Sequence, residues 1–273
     1  MCRGRFSERI SAISYRSDDD MIIDVHTHIG EPDQKKGSGQ SAPRISPETL
    51  IETMDKAGVD KAMTFTDKGL WVYDKTENDK IADAMKKYPN RLIGFATVNP
   101  RFGQDAVEEL HRAIATLGLK GLKLHPWLQL FSCTDSVLDP LFDEVAKLRI
   151  PVLFHTGYDV FSGPLGVADL AERYPQVPLI VGHSGCCGLW FDAIKAAKRC
   201  DNLYLETSGN MSGPIERMVN DVGANRILFG SDMPWVDSAM EILKIRTLDI
   251  SQKEKALILG ENLQGLLREW KID

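Results

Sequence analysis

The feature that most constrains this chain is an alternation of short apolar runs with longer amphipathic segments, which continues from Met21 to the C-terminus. Such alternation is typical of strand–helix–strand units around a parallel sheet. Eight runs have the length and composition of buried strands, at residues 21–26, 62–66, 92–98, 121–125, 152–155, 179–183, 203–206 and 227–230. A closed barrel of eight strands and eight helices needs roughly 250 residues. The 273 residues therefore predict one α/β domain with the (β/α)8 or TIM-barrel fold.

Helical segments with recognisable ends lie between these runs. Ser46 before Pro47 predicts a helix start, and Gly58 predicts the end of that helix. Further helices are predicted at residues 106–117, 138–148, 168–174, 189–197, 215–222 and 253–270. No Gly-x-Gly-x-x-Gly segment follows the first strand, which argues against a dinucleotide-binding sheet.

Composition limits the partners and the location. The net charge of −6 and the scattered Lys and Arg residues exclude a basic surface for nucleic acid. No stretch approaches 18 uninterrupted apolar residues, so we expect no membrane span. Five cysteines form no disulfide framework, which predicts a reducing, cytoplasmic location. Residues 1–20 are polar and predict a mobile extension before a catalytic domain at 21–273, and a homo-oligomer is left open.

Histidine placement is the strongest functional signal in the chain. Only six histidines are present, and five of them lie at or just beyond the ends of predicted strands: His26, His28, His125, His155 and His183. The C-terminal ends of barrel strands open onto one face, where active sites are built. We therefore expect side chains from distant parts of the sequence to meet at the barrel mouth.

His26 and His28 lie two residues apart on the first strand, so both side chains should point towards the mouth. His155, His183 and Asp232 each follow an apolar run directly, where burial of a polar group is costly unless a bound cation compensates. Nitrogen ligands favour zinc. The pattern predicts a divalent metal with zinc as first choice, and a small-molecule substrate.

Lys123 and His125 share the inward face of the fourth strand. A lysine inside a barrel needs a partner or a modification. Two interpretations stay open: an ion pair with an acid such as Asp24 or Glu206, or a carbamylated lysine that bridges two metals.

Several motifs in combination resemble the amidohydrolase superfamily, in particular the amidohydrolase-related branch that includes aminocarboxymuconate semialdehyde decarboxylase. They are Asp-Val-His-Thr-His (24–28), Lys-Leu-His-Pro (123–126), Phe-His-Thr-Gly (154–157), Gly-His-Ser-Gly (182–185) and Gly-Ser-Asp-Met-Pro (230–234). The resemblance implies that four residues bind the metal, namely His26, His28, His155 and Asp232. It also implies that His183 polarises the substrate or acts as acid and base, and that Asp232 takes a proton from metal-bound water.

The fourth strand departs from the decarboxylases of this branch and looks more like dihydroorotase, in which the equivalent lysine is carbamylated and bridges two ions. Lys123, His125 and His183 are therefore candidates for a second metal or for substrate contact. The expected number of ions is one or two.

The main functional prediction is hydrolysis of an amide, ester or lactone by metal-activated water, with Asp232 and His183 as catalytic residues. The alternative is non-oxidative decarboxylation of an unsaturated or aromatic acid, with Arg101 or Arg44 holding the carboxylate. A barrel that binds metal or ligand without catalysis is a third hypothesis, disfavoured because no ligand is missing.

Aromatic residues after the strands are candidates for the substrate pocket. Trp127, Trp190 and Trp235 follow strands four, six and eight, where they can either line a pocket or fill the barrel rim. The glycine-containing stretch 30–44 can form a flap over the site.

Overall fold

Eight parallel strands in chain order form the centre of the computed structural model, which describes residues 21–30, 45–157 and 159–272. The strands are β1 Ile23–Ile29, β2 Lys61–Thr66, β3 Leu92–Thr97, β4 Gly121–Leu124, β5 Val152–His155, β6 Leu179–Gly182, β7 Leu203–Glu206 and β8 Ile227–Leu228. Each strand pairs in parallel with the next one along the chain. The predicted (β/α)8 fold is confirmed.

Backbone hydrogen bonds between β1 and the segment at and after β8 close the barrel. The Val25 N–H donates to the Phe229 carbonyl (2.9 Å), the Asp232 N–H to the His26 carbonyl (2.9 Å) and the His28 N–H to the Met233 carbonyl (2.7 Å). This closure brings residue 232 beside residues 26 and 28, more than 200 positions away in sequence. The first and last strands are thus the structural basis of the site.

Helices follow the strands: the longer ones cover the outside of the barrel, and the short ones that carry Trp71 and Trp127 lie at its mouth. They are α1 Pro47–Ala57, α2 Lys68–Trp71, α3 Thr76–Lys87, α4 Gln104–Ala115, α5 Pro126–Gln129, α6 Asp139–Leu148, α7 Asp159–Ser162, α8 Pro164–Arg173, α9 Cys186–Arg199, α10 Ser212–Val222, α11 Ser238–Arg246, α12 Gln252–Ala256 and α13 Asn262–Glu269. Among the described residues, no helix is long and apolar enough to cross a bilayer.

The ends of α1 follow the sequence rules. The Ser46 hydroxyl accepts a hydrogen bond from the Thr49 N–H, and Gly58 follows the helix with φ +79°, a left-handed conformation that glycine adopts without strain. The prediction of this helix is confirmed. In contrast, α3 and α11 were not predicted. The α3 sequence is mostly charged or polar, and its apolar positions are too few to show a clear stripe.

Two apolar clusters fill the molecule. Along β6, Leu179 and Val181 belong to the large cluster, whereas Ile180 belongs to the small one. Alternating side chains of a strand buried on both faces produce this division. The small cluster contains Phe65, whose ring lies under the Lys123 ammonium group. The polar site therefore rests on an apolar plug inside the barrel.

Two strands, β1 and β8, differ from the prediction by more than one residue. β1 extends to Ile29, three residues past the expected end, because residues 27–29 pair with β2 after a register shift. β8 ends at Leu228, two residues early, so Asp232 lies on a loop. The predicted extension at 1–20 and most of the predicted flap at 30–44 lie outside the described residues, and the domain boundaries remain predictions.

Candidate metal centre at the barrel mouth

Three of the predicted metal ligands converge on one point. Asp232 Oδ1 lies 3.0 Å from His28 Nε2 and 3.3 Å from His26 Nε2. The two imidazole rings are stacked, with centroids 5.3 Å apart. Together these residues are one of the groups in the described chain whose ligand atoms lie close enough to share an ion.

The geometry and the donor chemistry fit a divalent cation. Ligands at about 2.1 Å from a tetrahedral ion are separated from one another by about 3.4 Å, close to the spacing observed here. Two imidazole nitrogens and one carboxylate leave an open position, as catalytic sites require. The residues present are therefore suited to hold a metal.

Electrostatics favour the charge states that metal binding needs in Asp232 and His26, but not in His28. Burial opposes ionisation of Asp232, but nearby His26 and His28 hold its pKa below the usual range, so it stays a carboxylate. Burial, together with the Lys123 cation, lowers the pKa of His26 well below its usual value and keeps it neutral. Burial also disfavours the charged form of His28, yet hydrogen bonds to Asp232 and Asp67 raise its pKa overall.

Asp67, at the end of β2, is a partner of the site that sequence reasoning missed. Its Oδ1 lies 3.4 Å from His28 Nδ1, on the side of the ring opposite Asp232. A carboxylate behind a ligating histidine fixes the ring orientation and raises its basicity. The sequence signal that could have identified Asp67 is its position as a polar residue directly after the predicted second strand.

Glu206, at the end of β7, lies behind His26. Its Oε2 is 3.0 Å from His26 Nδ1, and both side chains are fully buried. Sequence analysis named this residue only as a partner for Lys123. The structure places it with the histidines instead.

Lys123 points into the barrel, as predicted, and is completely buried. Its Nζ lies 3.0 Å from His26 Nε2 and 4.7 Å from the centre of the Phe65 ring. Burial lowers the pKa of Lys123 to about 7. The closest contact that the structure shows for Nζ is thus a metal-ligand candidate, and carbamylation remains a prediction.

Three further histidines at the mouth form a second group, which we call the histidine side: His125, His155 and His183. His155 Nδ1 lies 3.0 Å from His183 Nε2, and the His125 and His155 rings stack at 3.7 Å. Burial is the main cause of the lowered pKa values of all three. The structure therefore brings His155 to His183 and does not group it with the three converging ligands.

Two functional candidates have left-handed backbone conformations. His183 has φ +61° and Asp232 has φ +62°. Non-glycine residues in this region cost of order 1–3 kcal/mol each and are concentrated at functional sites. Surrounding hydrogen bonds maintain the conformation, including the one from the Asn210 amide to the His183 carbonyl.

A cleft of about 310 Å³ opens above these groups. It is lined by His28, Asp67, Trp71, His125, Trp127, Leu128, His155, Asp232 and Trp235. Trp127 and Trp235 lie where a substrate pocket was predicted, and Trp71 is a third tryptophan that sequence analysis missed. Trp190 stacks on Phe191 and is not among the residues that line this cleft.

Arg101, one of the two residues predicted to hold the carboxylate, is not among the residues that line the cleft. The Arg101 Nε donates to the Leu130 carbonyl, and its guanidinium lies 3.9 Å from Asp135. Arg44 falls outside the described residues. Among the described residues that line the cleft, none is an arginine or a lysine.

Comparison with known proteins shows similarity to decarboxylases. A family model described as amidohydrolase matches residues 23–267. The chain is 26% identical over 245 residues to gamma-resorcylate decarboxylase from Polaromonas sp., covering 70% of this chain and 74% of that protein. It is 32% identical over 221 residues to 2-amino-3-carboxymuconate-6-semialdehyde decarboxylase from Dictyostelium discoideum, covering 70% of this chain and 58% of that protein.

A solved structure shares the fold. The crystal structure of dihydroxybenzoic acid decarboxylase from Polaromonas sp., with bound manganese and an inhibitor, superposes with a TM-score of 0.70 at 19% identity. The match covers 91% of this chain and 97% of that one. The ion in that structure is manganese, so the expectation of zinc has no specific support.

These relatives correct the main functional prediction. Hydrolysis of an amide, ester or lactone is wrong as the leading interpretation, because the similar proteins are named as decarboxylases. The metal-centred fold is common to both reactions, so the strand-end motifs could not separate them. With the family model matching residues 23–267, this chain belongs to the amidohydrolase family of enzymes.

Proposed function

We propose that this enzyme is a metal-dependent, non-oxidative decarboxylase of a small unsaturated or aromatic carboxylic acid. The observation that carries the proposal is the cleft in which His28 and Asp232 face three tryptophans. A planar acid fits such a cleft, because aromatic walls bind flat apolar surfaces and a bound cation binds oxygen. The names of the relatives support the reaction type.

His26, His28 and Asp232 would hold the ion, and His155 at the cleft wall is the proposed fourth ligand. A divalent ion at this position would attract the oxygens of the substrate and offset negative charge in the transition state. We expect one bound ion per chain. Zinc is not specifically favoured, and manganese is the first metal to test.

The reaction needs a proton at carbon. The bond between the carboxyl group and its carbon breaks, the electron pair stays on that carbon, and the carbon takes up a proton as carbon dioxide leaves. We propose His183 as the donor: its Nε2 first takes up a proton from solvent and then gives it to the carbon, while its Nδ1 stays engaged by Ser208 at 2.8 Å.

Tryptophans of the cleft would orient the substrate and exclude water. Trp71, Trp127 and Trp235 are 59%, 44% and 49% exposed, so their rings are available for contact with a ligand. Large apolar side chains half-exposed around a polar site favour binding of a planar molecule over a surface role.

Release of carbon dioxide from a panel of acids tests the proposal. Manganese-loaded protein is incubated with 2,6-dihydroxybenzoate, 5-carboxyvanillate and related acids carrying a ¹³C-labelled carboxyl group, and labelled carbon dioxide is measured. We expect release from at least one acid and none from an Asp232→Asn control. Absence of release from every acid, with metal shown to be bound, would contradict the proposal.

A further inference from the structure

The carboxylate of Glu206 is the most heavily hydrogen-bonded side chain near the site. Its Oε2 accepts from His26 Nδ1 (3.0 Å), from the His183 N–H (2.8 Å) and from the Ser208 hydroxyl (2.9 Å). Its Oε1 accepts from the Ser208 N–H. A side chain at Gly230 would overlap the same carboxylate, so glycine at that position makes room for it.

An ionised carboxylate only accepts hydrogen bonds, so each of its four partners must donate. His26 must therefore carry its hydrogen on Nδ1, which leaves a lone pair on Nε2, the nitrogen that lies 3.0 Å from Lys123 Nζ and 3.3 Å from Asp232 Oδ1. That is the tautomer that a metal ligand needs.

The same reasoning determines the tautomer of His183. The Ser208 hydroxyl has a single hydrogen, and the contact with Glu206 uses it, since otherwise two acceptors would face each other at 2.9 Å. The contact of 2.8 Å between Ser208 Oγ and His183 Nδ1 must then be donated by the histidine. His183 is left with its Nε2 lone pair towards His155.

We propose that Glu206 is a positioning residue that sets the tautomers of His26 and His183 together, directly for the first and through Ser208 for the second. One buried carboxylate thereby couples metal binding to proton transfer. The part of this inference that concerns proton transfer rests on the proposed function, whereas the tautomers and the metal affinity do not.

The inference also bears on the number of ions. His26, His183 and Glu206 form a second group whose ligand atoms lie close together. Oε2, the oxygen that faces His26 and His183, already accepts three hydrogen bonds, so a second ion bound to this oxygen would have to displace at least one of those donors. The contacts of Glu206 therefore disfavour a second ion in this group.

Direct observation in the unmodified protein is the first test. Long-range ¹H–¹⁵N correlation spectra of the metal-free protein report the protonated nitrogen of each assigned histidine. We expect the hydrogen on Nδ1 in both His26 and His183. Finding it on Nε2 in either residue overturns the inference, without the need for any variant.

Two variants then separate the two branches. Glu206→Gln, which keeps the size but offers one accepting oxygen, is expected to lower Mn²⁺ affinity about 10- to 100-fold, measured from the EPR signal of unbound Mn²⁺. Ser208→Ala should leave Mn²⁺ affinity within about twofold of the original, because the direct contact between Glu206 and His26 remains, while the His183 tautomer becomes mixed and kcat falls.

Ser184→Ala is the matched control, since the Ser184 hydroxyl donates to the backbone carbonyl of Glu206 and not to its carboxylate. We expect both tautomers to stay on Nδ1 in this variant. If Glu206→Gln does not fold, as judged by its melting curve, the spectra of the unmodified protein and of Ser208→Ala test whether Glu206 sets the two tautomers.

Failure of this inference differs from failure of the proposed function. Unchanged Mn²⁺ affinity in a folded Glu206→Gln protein overturns the positioning role even if carbon dioxide is released. Conversely, a protein with the expected tautomers and affinities that releases no carbon dioxide keeps the role of Glu206 and loses the decarboxylase assignment.

Discussion

The two halves of the barrel mouth differ in charge. At the junction of β1 and β8, His28 lies between two carboxylates, Asp232 and Asp67, which raise the pKa of this histidine. Around β4 to β6, His125 and His155 face each other and other imidazoles, and burial lowers the pKa of both. The first half is built to attract a cation, and the second is built of neutral rings.

This difference indicates that the first half mainly binds the metal, whereas the second half mainly acts on the substrate. Carboxylates compensate the cost of placing a positive ion in a poorly solvated site, so the ion belongs at the β1–β8 junction. Neutral imidazoles can exchange protons and contact substrate, and His155, which borders the cleft, is the one proposed to reach the ion. The comparison predicts that variants of the first half lose metal, whereas most variants of the second half lose rate or substrate affinity.

Metal removal should have the largest effect. Treatment with a chelator is expected to abolish carbon dioxide release, and addition of Mn²⁺ should restore it. Mn²⁺ at about 100 times its Kd should also raise the free energy of unfolding by about 2.7 kcal/mol, roughly 5–10 °C in Tm. Calorimetry checks this shift, and full activity after complete removal of the metal would contradict the proposed centre.

Asp232→Asn is next in size. Loss of the only carboxylate among the three converging ligands removes several kcal/mol of stabilisation, and we expect kcat/KM to fall about 1,000-fold or more. Metal content by mass spectrometry should fall with it. Asp169→Asn is a control, because Asp169 pairs with Arg199 on an exposed surface. A metal-loaded Asp232→Asn protein with normal activity would remove the distinction between the two halves.

On the histidine side, His183→Asn should reduce kcat about 100- to 10,000-fold, as loss of a proton donor does, with the metal content unchanged.

His155→Gln should lower Mn²⁺ affinity about 10- to 100-fold, less than His28→Gln, because three ligands already converge without it. Equal losses of Mn²⁺ affinity for His155→Gln and His28→Gln would show that His155 belongs functionally with the first half.

Cleft tryptophans should give the smallest effects. Trp127→Leu is expected to raise KM about 2- to 12-fold at nearly constant kcat, since one aromatic contact contributes about 0.5–1.5 kcal/mol. Phe102→Leu is the control, because Phe102 is 51% exposed and stacks on Tyr73 away from the cleft. Steady-state kinetics with the acid found in the carbon dioxide release screen measures this change. An unchanged KM would assign Trp127 to the barrel rim.

Much of the fold could be predicted from local patterns. Apolar runs and the turn residues between them depend on neighbours in sequence, so all eight strands were found and most differ by at most one residue. α3 was missed because eight of its twelve residues are charged or polar, so that its packing against β2 and β3 through residues such as Ile81 and Ala84 is not evident from the sequence.

The site could be predicted only in part. Residue types at strand ends identified His26, His28 and Asp232, which do converge. The placement of His155 beside His183 and of Arg101 away from the cleft depends on side-chain rotamers, which sequence patterns do not specify. The choice between hydrolysis and decarboxylation also lay beyond the motifs, because both reactions use the same ligand types.

Sequence alone determined that this chain forms an eight-stranded barrel with imidazoles and a carboxylate at one end, since strand periodicity and the common polarity of parallel strands require it. Only the tertiary structure decided which of those groups meet. Closure between β1 and β8 places Asp232 against His26 and His28, and Glu206 is buried against Nδ1 of His26. Both depend on contacts between residues about 180 or more positions apart, which no local pattern encodes.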